Sequence, residues 1–155
     1  MWKILLQLEV TDGTQTLEKR LDVKDVRFAK FRANQLKPIF IYDTDEKKSV
    51  QKIQHVWHDF KKNKMHSITY EVDVIAYPSR FTRNVDIVCG KGIHYFNTLI
   101  AAFYYMKEYL DDISFNDCGE VNSILSFHFH EPEMLLKHFG ISDVKLATNF
   151  QFMRM

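Results

Sequence analysis

The sequence contains only two cysteines, Cys89 and Cys118, and they do not form a CxxC pair. A disulfide framework and a zinc ribbon are therefore excluded, and a reducing compartment is expected. No apolar run approaches the roughly 18 residues that span a bilayer. The first residues also lack the basic-then-apolar order of a signal peptide. We therefore expect a cytoplasmic protein that makes no contact with a membrane.

The chain also lacks an excess of charge, since 21 Lys and Arg residues are balanced by 20 Asp and Glu residues. An obligate nucleic-acid-binding protein usually carries a strongly basic face, so nucleic acid is not the expected partner. Glycine and proline are scarce, whereas 46% of the 155 residues are hydrophobic, which predicts one domain over residues 1–155. Abundant phenylalanine with little glycine is typical of AT-rich genomes, including many viral ones.

Hydrophobic periodicity in the first half of the chain predicts both strands and helices. Apolar residues alternate on both sides of the turn-forming pair Asp12-Gly13, which predicts a hairpin over residues 3–23. Helical spacing follows and predicts a helix over residues 24–36. The apolar run at residues 39–42 predicts a short buried strand, and residues 50–60 again show the spacing of an amphipathic helix.

The second half shows a similar mixture. Residues 67–90 have the pattern of a second hairpin, and an apolar stripe over residues 96–110 predicts the longest helix. A strand at 125–130, a short helix at 131–140 and a terminal strand at 144–152 follow. Together these elements predict an α+β fold, a single domain with a mixed, mostly antiparallel sheet flanked by about four helices.

Three segments after residue 67 follow the order of elements of a known superfamily. They are a strand running through a Gly-x-Gly turn (residues 85–93), the long helix with Tyr104-Tyr105-Met106-Lys107, and a late helix ending at Gly140 before a strand. Over residues 67–155 the chain therefore resembles the GNAT acyltransferase superfamily, whereas the N-terminal hairpin and helices at 1–66 match it loosely. The resemblance implies an N-acetyltransferase that uses acetyl-CoA and an acceptor amine.

The resemblance also implies a set of site residues. A helix N-terminus carries unpaired N–H groups and a partial positive charge, which suit the pyrophosphate of coenzyme A. The residues at this turn are Cys89, Gly90, Lys91, Gly92, Ile93 and His94. Glu71 or Asp73, on the preceding strand, would deprotonate the amine. The competing interpretation is structural: the acids pair across the strands with Arg80 or Arg83, and the glycines make a tight turn.

Three positions depart from the superfamily pattern. Cys89 replaces an Arg or Gln, His94 stands where a minimal side chain makes room for phosphate, and Leu136 occupies the place of a tyrosine general acid. These departures favour an alternative function. In it the GNAT-like fold is retained, and the chain is a non-enzymatic interaction or structural protein with an unidentified protein partner.

Two further groups of residues indicate other chemistry. Asp43 and Asp45 follow an apolar strand, the position at which Mg²⁺-dependent hydrolases hold their metal, so a metal-dependent hydrolase is the third candidate. The competing interpretation is a loop that caps the next helix. His55 and His58 are spaced i, i+3 on the second predicted helix, as metal ligands can be. They lie beside a lysine-rich face, however, and we expect no bound metal.

Basic residues concentrate before residue 38. Lys24, Arg27, Lys30 and Lys37 fall on one side of the first predicted helix and would form a positive patch in a nearly neutral protein. Such a patch suits an acidic protein, a nucleic acid or the phosphates of a cofactor, and an acidic partner is the expected one. A solvated helix face is the alternative.

Overall fold

The computed structural model describes residues 3–87, 90–99, 101–102, 137, 140 and 149–154. Its described strands are β1 (Lys3–Glu9), β2 (Lys30–Ala33), β3 (Lys37–Asp43), β4 (Lys48–Ser49), β5 (Lys52–Asp59), β6 (Lys64–Glu71), β7 (Ile93–Phe96) and β8 (Asn149–Arg154). Six of them form a sheet in the order β2-β7-β8-β1-β3-β4, and β5 pairs with β6 in a separate hairpin. All of these pairings are antiparallel.

Strand β1 lies inside the six-stranded sheet, and the side chains of Ile4, Leu5, Leu6, Gln7 and Leu8 are all buried. It pairs with β3 on one side and with β8 on the other. Ile4, Leu6 and Leu8 belong to the main hydrophobic core. Leu5 and Gln7 point to the opposite face, since side chains alternate along a strand, and both are buried as well. Burial on both faces suits a strand with a hydrogen-bonded neighbour at each edge.

The predicted α+β class, with about four helices around the sheet, is wrong. Strands account for 44% of the described residues, and no helix is delimited among them. Residues 24–36 form turns followed by β2, and residues 50–60 contain β5. Both segments have apolar residues at helical spacing, but their Phe, Val, Ile and Trp residues also favour strands. The spacing of apolar residues therefore fits both a helix and a strand. The pairing of β2 with β7 and of β5 with β6 shows that the segments form strands.

This mainly β architecture also conflicts with the GNAT-like fold implied by the resemblance. In that fold the turn at residues 90–92 would lead into a helix. In the structure it leads into β7.

The N-terminal hairpin predicted over residues 3–23 is wrong in its pairing. Strand β1 is confirmed, and Gly13 has a φ of +87°, which a turn requires and which glycine adopts without strain. However, β1 pairs with β3 and β8 rather than with the segment after Gly13. That segment forms only an isolated bridge, between Thr16 and Ala33, among the described residues. Alternation of apolar residues shows which face of a strand is buried but not which strand lies beside it.

Two other predicted strands are confirmed, although one has a different partner. The strand at 39–42 is part of β3, and the first strand of the second hairpin overlaps β6 up to its end at Glu71. The partner of β6 is β5, whereas residues 81–87 contain no strand. The elements predicted at 96–110 and 125–140 lie largely outside the described residues. Within the described part, no helix is long and apolar enough to cross a membrane.

One hydrophobic core joins the hairpin to the six-stranded sheet. Ile68 and Tyr70 of β6 are buried in the same cluster as Leu6 of β1 and Ile93 of β7. Ile53 of β5 packs against this cluster. The base of the hairpin is therefore anchored in the core, whereas most residues near its turn are exposed.

Arg32, on β2, is a buried arginine that holds the loop before β7. Only 1% of the residue is exposed. Its Nη2 donates to the carbonyls of Asn84 at 2.6 Å and Thr82 at 3.1 Å, its Nε donates to Thr82 at 3.3 Å, and its Nη1 donates to Ile87. A planar guanidinium has five N–H donors and can bridge several carbonyls of an irregular segment. These bonds fix residues 82–87 against the sheet.

Replacement of Arg32 by methionine tests this role. The substitution removes the bonds and leaves the carbonyls of Thr82 and Asn84 without these donors. A hydrogen bond to a charged group contributes about 1.5–3 kcal/mol. We therefore expect Arg32→Met to lower the free energy of unfolding, measured by urea titration, by at least about 3 kcal/mol. The exposed Arg83→Met is the matched control and should change it by less than about 0.5 kcal/mol. Equal effects of the two substitutions would contradict the role of Arg32.

Candidate functional site

The turn at residues 90–92 has its middle backbone groups already engaged. Lys91 donates its amide hydrogen to Oγ1 of Thr82 at 2.9 Å, and its carbonyl accepts from the Thr82 amide at 2.9 Å. Residues 93–96 then pair with β2 in an antiparallel ladder. This segment therefore provides no helix dipole toward a pyrophosphate, which was the physical basis of the predicted coenzyme A site.

Packing explains why the turn contains two glycines. A Cβ at Gly90 would lie 2.8 Å from Cζ of Arg32 and 2.8 Å from Cβ of Thr82. Gly92 has a φ of +151°, and a Cβ there would lie 3.1 Å from a carbonyl oxygen of β2. His94 bridges the turn, because its Nε2 donates to the carbonyl of Gly90 at 2.9 Å. The two glycines let this loop approach β2 closely.

The predicted bases lie at the other end of the hairpin from this turn. Asp73 has a φ of +66° in the turn after β6, and Glu71 is the last residue of β6. Lys91, by contrast, acts electrostatically on Asp59 at the far end of β5. Glu71 is seven residues beyond Lys64, the partner of Asp59. That separation is about 23 Å at 3.3 Å per residue, so both acids lie far from Asp59 and from the end of the hairpin on which the Lys91 charge acts.

The candidate metal ligands have other positions than predicted. Oδ1 of Asp43 accepts from the amides of Asp45 and Glu46, both at 3.0 Å, and thus caps the β3–β4 turn rather than a helix. His55 and His58 lie on opposite faces of β5, since residues three apart on a strand point to opposite sides. Across the described residues, no three His, Cys, Asp or Glu side chains are grouped as a metal site requires.

The predicted basic patch loses the helix that would have aligned it. Arg27 forms an ion pair with Asp25 at 2.8 Å, and Lys37 forms one with Glu9 at 2.8 Å. Half of the predicted positive charge is therefore balanced by a neighbouring acid. An acidic partner at this position stays a prediction.

The register of the hairpin β5–β6 sorts its side chains onto two faces. The inner face, which begins in the core, carries the pairs Ile53–Tyr70, His55–Ile68, Trp57–His66 and Asp59–Lys64. The outer face carries the pairs Lys52–Glu71, Gln54–Thr69, Val56–Ser67 and His58–Met65. Each face holds a distinct candidate site.

A polar cluster of Ser79, His66 and Asp59 lies on the inner face of the hairpin. Oγ of Ser79 lies 3.4 Å from Nδ1 of His66, and Oδ2 of Asp59 lies 3.9 Å from Nε2 of the same ring. Trp57 stacks on His66, with ring centroids 5.6 Å apart and planes 20° apart. The His66 side chain is 8% exposed, and its Nε2 has no hydrogen-bond partner in the described part of the chain. Ser79, in contrast, is exposed.

Asp59 carries a negative charge at neutral pH. Partial burial alone would raise the pKa of Asp59, but several groups outweigh this effect. The amides of Lys62 and Lys61 donate to its Oδ1 at 3.3 and 3.1 Å. The positive charges of Lys91 and Lys62 act in the same direction and hold the pKa below its usual value. Oδ2, the atom nearer to His66, therefore belongs to an ionised carboxylate.

The outer face and the turn of the hairpin expose apolar side chains among lysines. Phe60 is 86% exposed, and Met65 and Val56 are 59% and 47% exposed. The ring of His58 meets that of Phe60 edge-on, with centroids 4.4 Å apart. Lys61, Lys62 and Lys64 are exposed, and none of them forms an ion pair within the described residues. We call this surface, made by Val56, His58, residues 60–62, Lys64 and Met65, the tip surface.

Comparison of the chain with protein-family models, with curated proteins and with solved structures gave no match. Cys89 lies outside the described residues. Coenzyme A binding at residues 89–94 and base catalysis by Glu71 or Asp73 therefore stay predictions.

The close packing of Gly90 against Arg32 predicts an energetic coupling between substitutions at these two residues. Gly90→Ala should destabilise the protein by about 1–3 kcal/mol, because the added methyl group overpacks the site against Arg32. In an Arg32→Met background the cost should be smaller by at least about 0.5 kcal/mol, since the guanidinium is gone. Urea titration of the four proteins measures the coupling. An identical cost of Gly90→Ala in both backgrounds would show that the glycine has another purpose.

Half-buried His55 predicts a pH dependence of stability. Burial lowers the pKa of His55 below its usual value near 6.5. As the pH falls below 6.5, the unfolded chain therefore takes up this proton before the folded chain does, and stability decreases until the depressed folded pKa is passed. In His55→Gln this part of the acid slope should disappear. His58→Gln, on the outer face, is the control, and a wild-type slope in His55→Gln would refute the assignment.

Proposed function

We propose that this chain is a binding protein whose tip surface docks onto an acidic protein. The observation that carries the proposal is the exposed ring of Phe60, bordered by the exposed residues Lys61, Lys62 and Lys64, none of which forms an ion pair within the described residues. An exposed apolar group surrounded by polar residues is a common feature of protein interaction sites.

The hairpin holds this surface in one conformation before binding. Oδ1 of Asp59 accepts from two amides of the turn, and Asn63 adopts a φ of +47°, which asparagine tolerates better than most residues. Nε2 of His58 donates a hydrogen bond across the turn to Oδ1 of Asn63 at 3.2 Å. Because the base of the hairpin is packed in the core, little conformational entropy is lost when the tip surface binds.

The chemistry of the tip surface favours an acidic protein over other anionic partners. Aromatic residues and methionine are enriched at the centres of protein interfaces, where Phe60 and Met65 would lie. Lysines at the rim attract carboxylates and increase the association rate. Three lysines are fewer than the four to eight basic residues typical of an anionic-lipid site. They also supply few phosphate contacts for a nucleic acid. The partner that fits the tip surface best is therefore a protein with an apolar pocket, which would receive Phe60, and with carboxylates around that pocket.

The compartment that we propose for this interaction is the cytoplasm. The proposal rests on the sparse and separated cysteines, which suit a reducing environment.

A model peptide tests the docking surface without knowledge of the natural partner. A fluorescein-labelled peptide of alternating glutamate and leucine should bind, with an affinity that decreases as salt increases, in a fluorescence anisotropy titration. Phe60→Ala should weaken binding about tenfold, since a buried aromatic anchor typically contributes more than 1 kcal/mol. Lys61→Glu combined with Lys62→Glu should abolish binding, because repulsion then replaces attraction.

Matched controls lie elsewhere on the surface. Leu21 is 99% exposed outside the hairpin, so Leu21→Ala removes an equally exposed apolar side chain. Lys19→Glu reverses an exposed charge there. Neither should change the affinity by more than about twofold. Equal effects of control and tip substitutions, or no binding of the peptide, would contradict the proposal. Stronger binding to phosphatidylserine vesicles or to a single-stranded oligodeoxynucleotide would assign the surface to a membrane or to nucleic acid instead.

A further inference from the structure

We propose that Ser79, His66 and Asp59 form a nucleophilic serine site that accepts an acyl group from an activated ester. The site lies on the inner face of the hairpin and uses no side chain of the tip surface, although Oδ1 of Asp59 also caps the turn that carries that surface. Labelling of Ser79 therefore tests the site separately from peptide binding. An exposed serine hydroxyl next to a buried imidazole, with a carboxylate beyond it, is the arrangement by which proteins activate a serine.

The contact between Ser79 and His66 is the catalytic part of the site. Oγ of Ser79 lies 3.4 Å from Nδ1 of His66, within the range that nucleophile and base show before a substrate is bound. The hydroxyl can donate to Nδ1 only when the ring proton is on Nε2. Ser79 is exposed on the segment between β6 and β7, so an ester can reach its Oγ from the solvent.

Asp59 and Trp57 are positioning residues for the imidazole. Oδ2 of Asp59 is 3.9 Å from Nε2 of His66, which favours the tautomer with its proton on that nitrogen. Trp57 lies flat against the ring, with the planes 20° apart, and keeps it from rotating. Nε2 is buried and has no hydrogen-bond partner in the described part of the chain, so the nearby carboxylate is the group that can stabilise an imidazolium. Only 8% of the His66 side chain is exposed, which strengthens this electrostatic effect.

The proposed reaction has two balanced steps. In the first, Oγ of Ser79 attacks the carbonyl carbon, its proton moves to Nδ1 of His66, and the C–O bond to the leaving alcohol breaks as that alcohol takes the proton. In the second, a water molecule attacks the acyl carbon, the bond between carbon and Oγ breaks, and Ser79 regains a proton through His66. The expected substrate class is an ester with a good leaving group, because such a group departs with little assistance from the protein.

A fluorophosphonate probe tests the nucleophile directly. Attack by Oγ forms an O–P bond and releases fluoride, and peptide mass spectrometry locates the adduct. We expect one adduct, on Ser79, and no labelling of Ser79→Ala. Ser67→Ala removes an exposed serine of β6 and is the matched control, with labelling unchanged. His66→Gln should lower the labelling rate about a hundredfold, the usual contribution of a general base.

The pH profile separates a positioning role of Asp59 from a structural one. Asp59→Asn should shift the pH dependence of the labelling rate, since the carboxylate no longer favours the proton on Nε2. If Asp59 only stabilised the fold, Asp59→Asn would lower the free energy of unfolding, and the pH dependence of the labelling rate would stay the same for the protein that remains folded. Absence of the adduct from the wild-type protein, or an adduct elsewhere, would overturn the proposal. Turnover of p-nitrophenyl acetate that persists in Ser79→Ala would do the same.

Discussion

The bonds of the buried Arg32 guanidinium to a set of loop carbonyls are the interaction on which the rest of the described structure depends. Arg32 belongs to β2, at one edge of the six-stranded sheet, and its bonds reach residues 82–87. The described residues between β6 and β7 form isolated bridges but no ladder, so the Arg32 bonds and the hydrogen bonds between Thr82 and Lys91 hold residues 82–87 in place. Gly90 is part of the same packing, because a side chain there would collide with the guanidinium.

Side chains alternate between the two faces of the hairpin β5–β6, so the hairpin has two chemically different surfaces. The inner face passes from the apolar core to the stacked rings of Trp57 and His66, where the His66 side chain is shielded from most solvent. The outer face ends in Phe60 and three lysines, which are exposed. Only the inner face depends on the loop that Arg32 holds, since that loop and its neighbours carry Ser79 and Lys91. A change at the tip surface should therefore leave the polar cluster intact.

Sequence patterns predicted the strands whose period is unambiguous, and the terminal strand predicted at 144–152 overlaps β8 at residues 149–152, whereas β2, β4, β5 and β7 were missed. Strand β1 has alternating apolar residues, β3 contains a continuous apolar run and β6 alternates clearly, so all three are found in the structure. Over residues 50–60, which contain β5, the apolar residues at 50, 53, 57 and 60 fit a helix as well, and only the pairing of β5 with β6 shows that the segment is a strand. The polar cluster could not be predicted, because Asp59, His66 and Ser79 share no motif and meet only through the hairpin register and the loop after it.

Hydrogen exchange of arginine side chains, measured by nitrogen-15 NMR at neutral pH, tests the central role of Arg32 most directly. If its guanidinium binds the carbonyls of Thr82, Asn84 and Ile87 in a buried site, the Nε proton of Arg32 should exchange with water at least about a hundredfold more slowly than that of the exposed Arg83. Exchange of both protons at the same rate would mean that Arg32 is open to solvent and that the loop is held in another way.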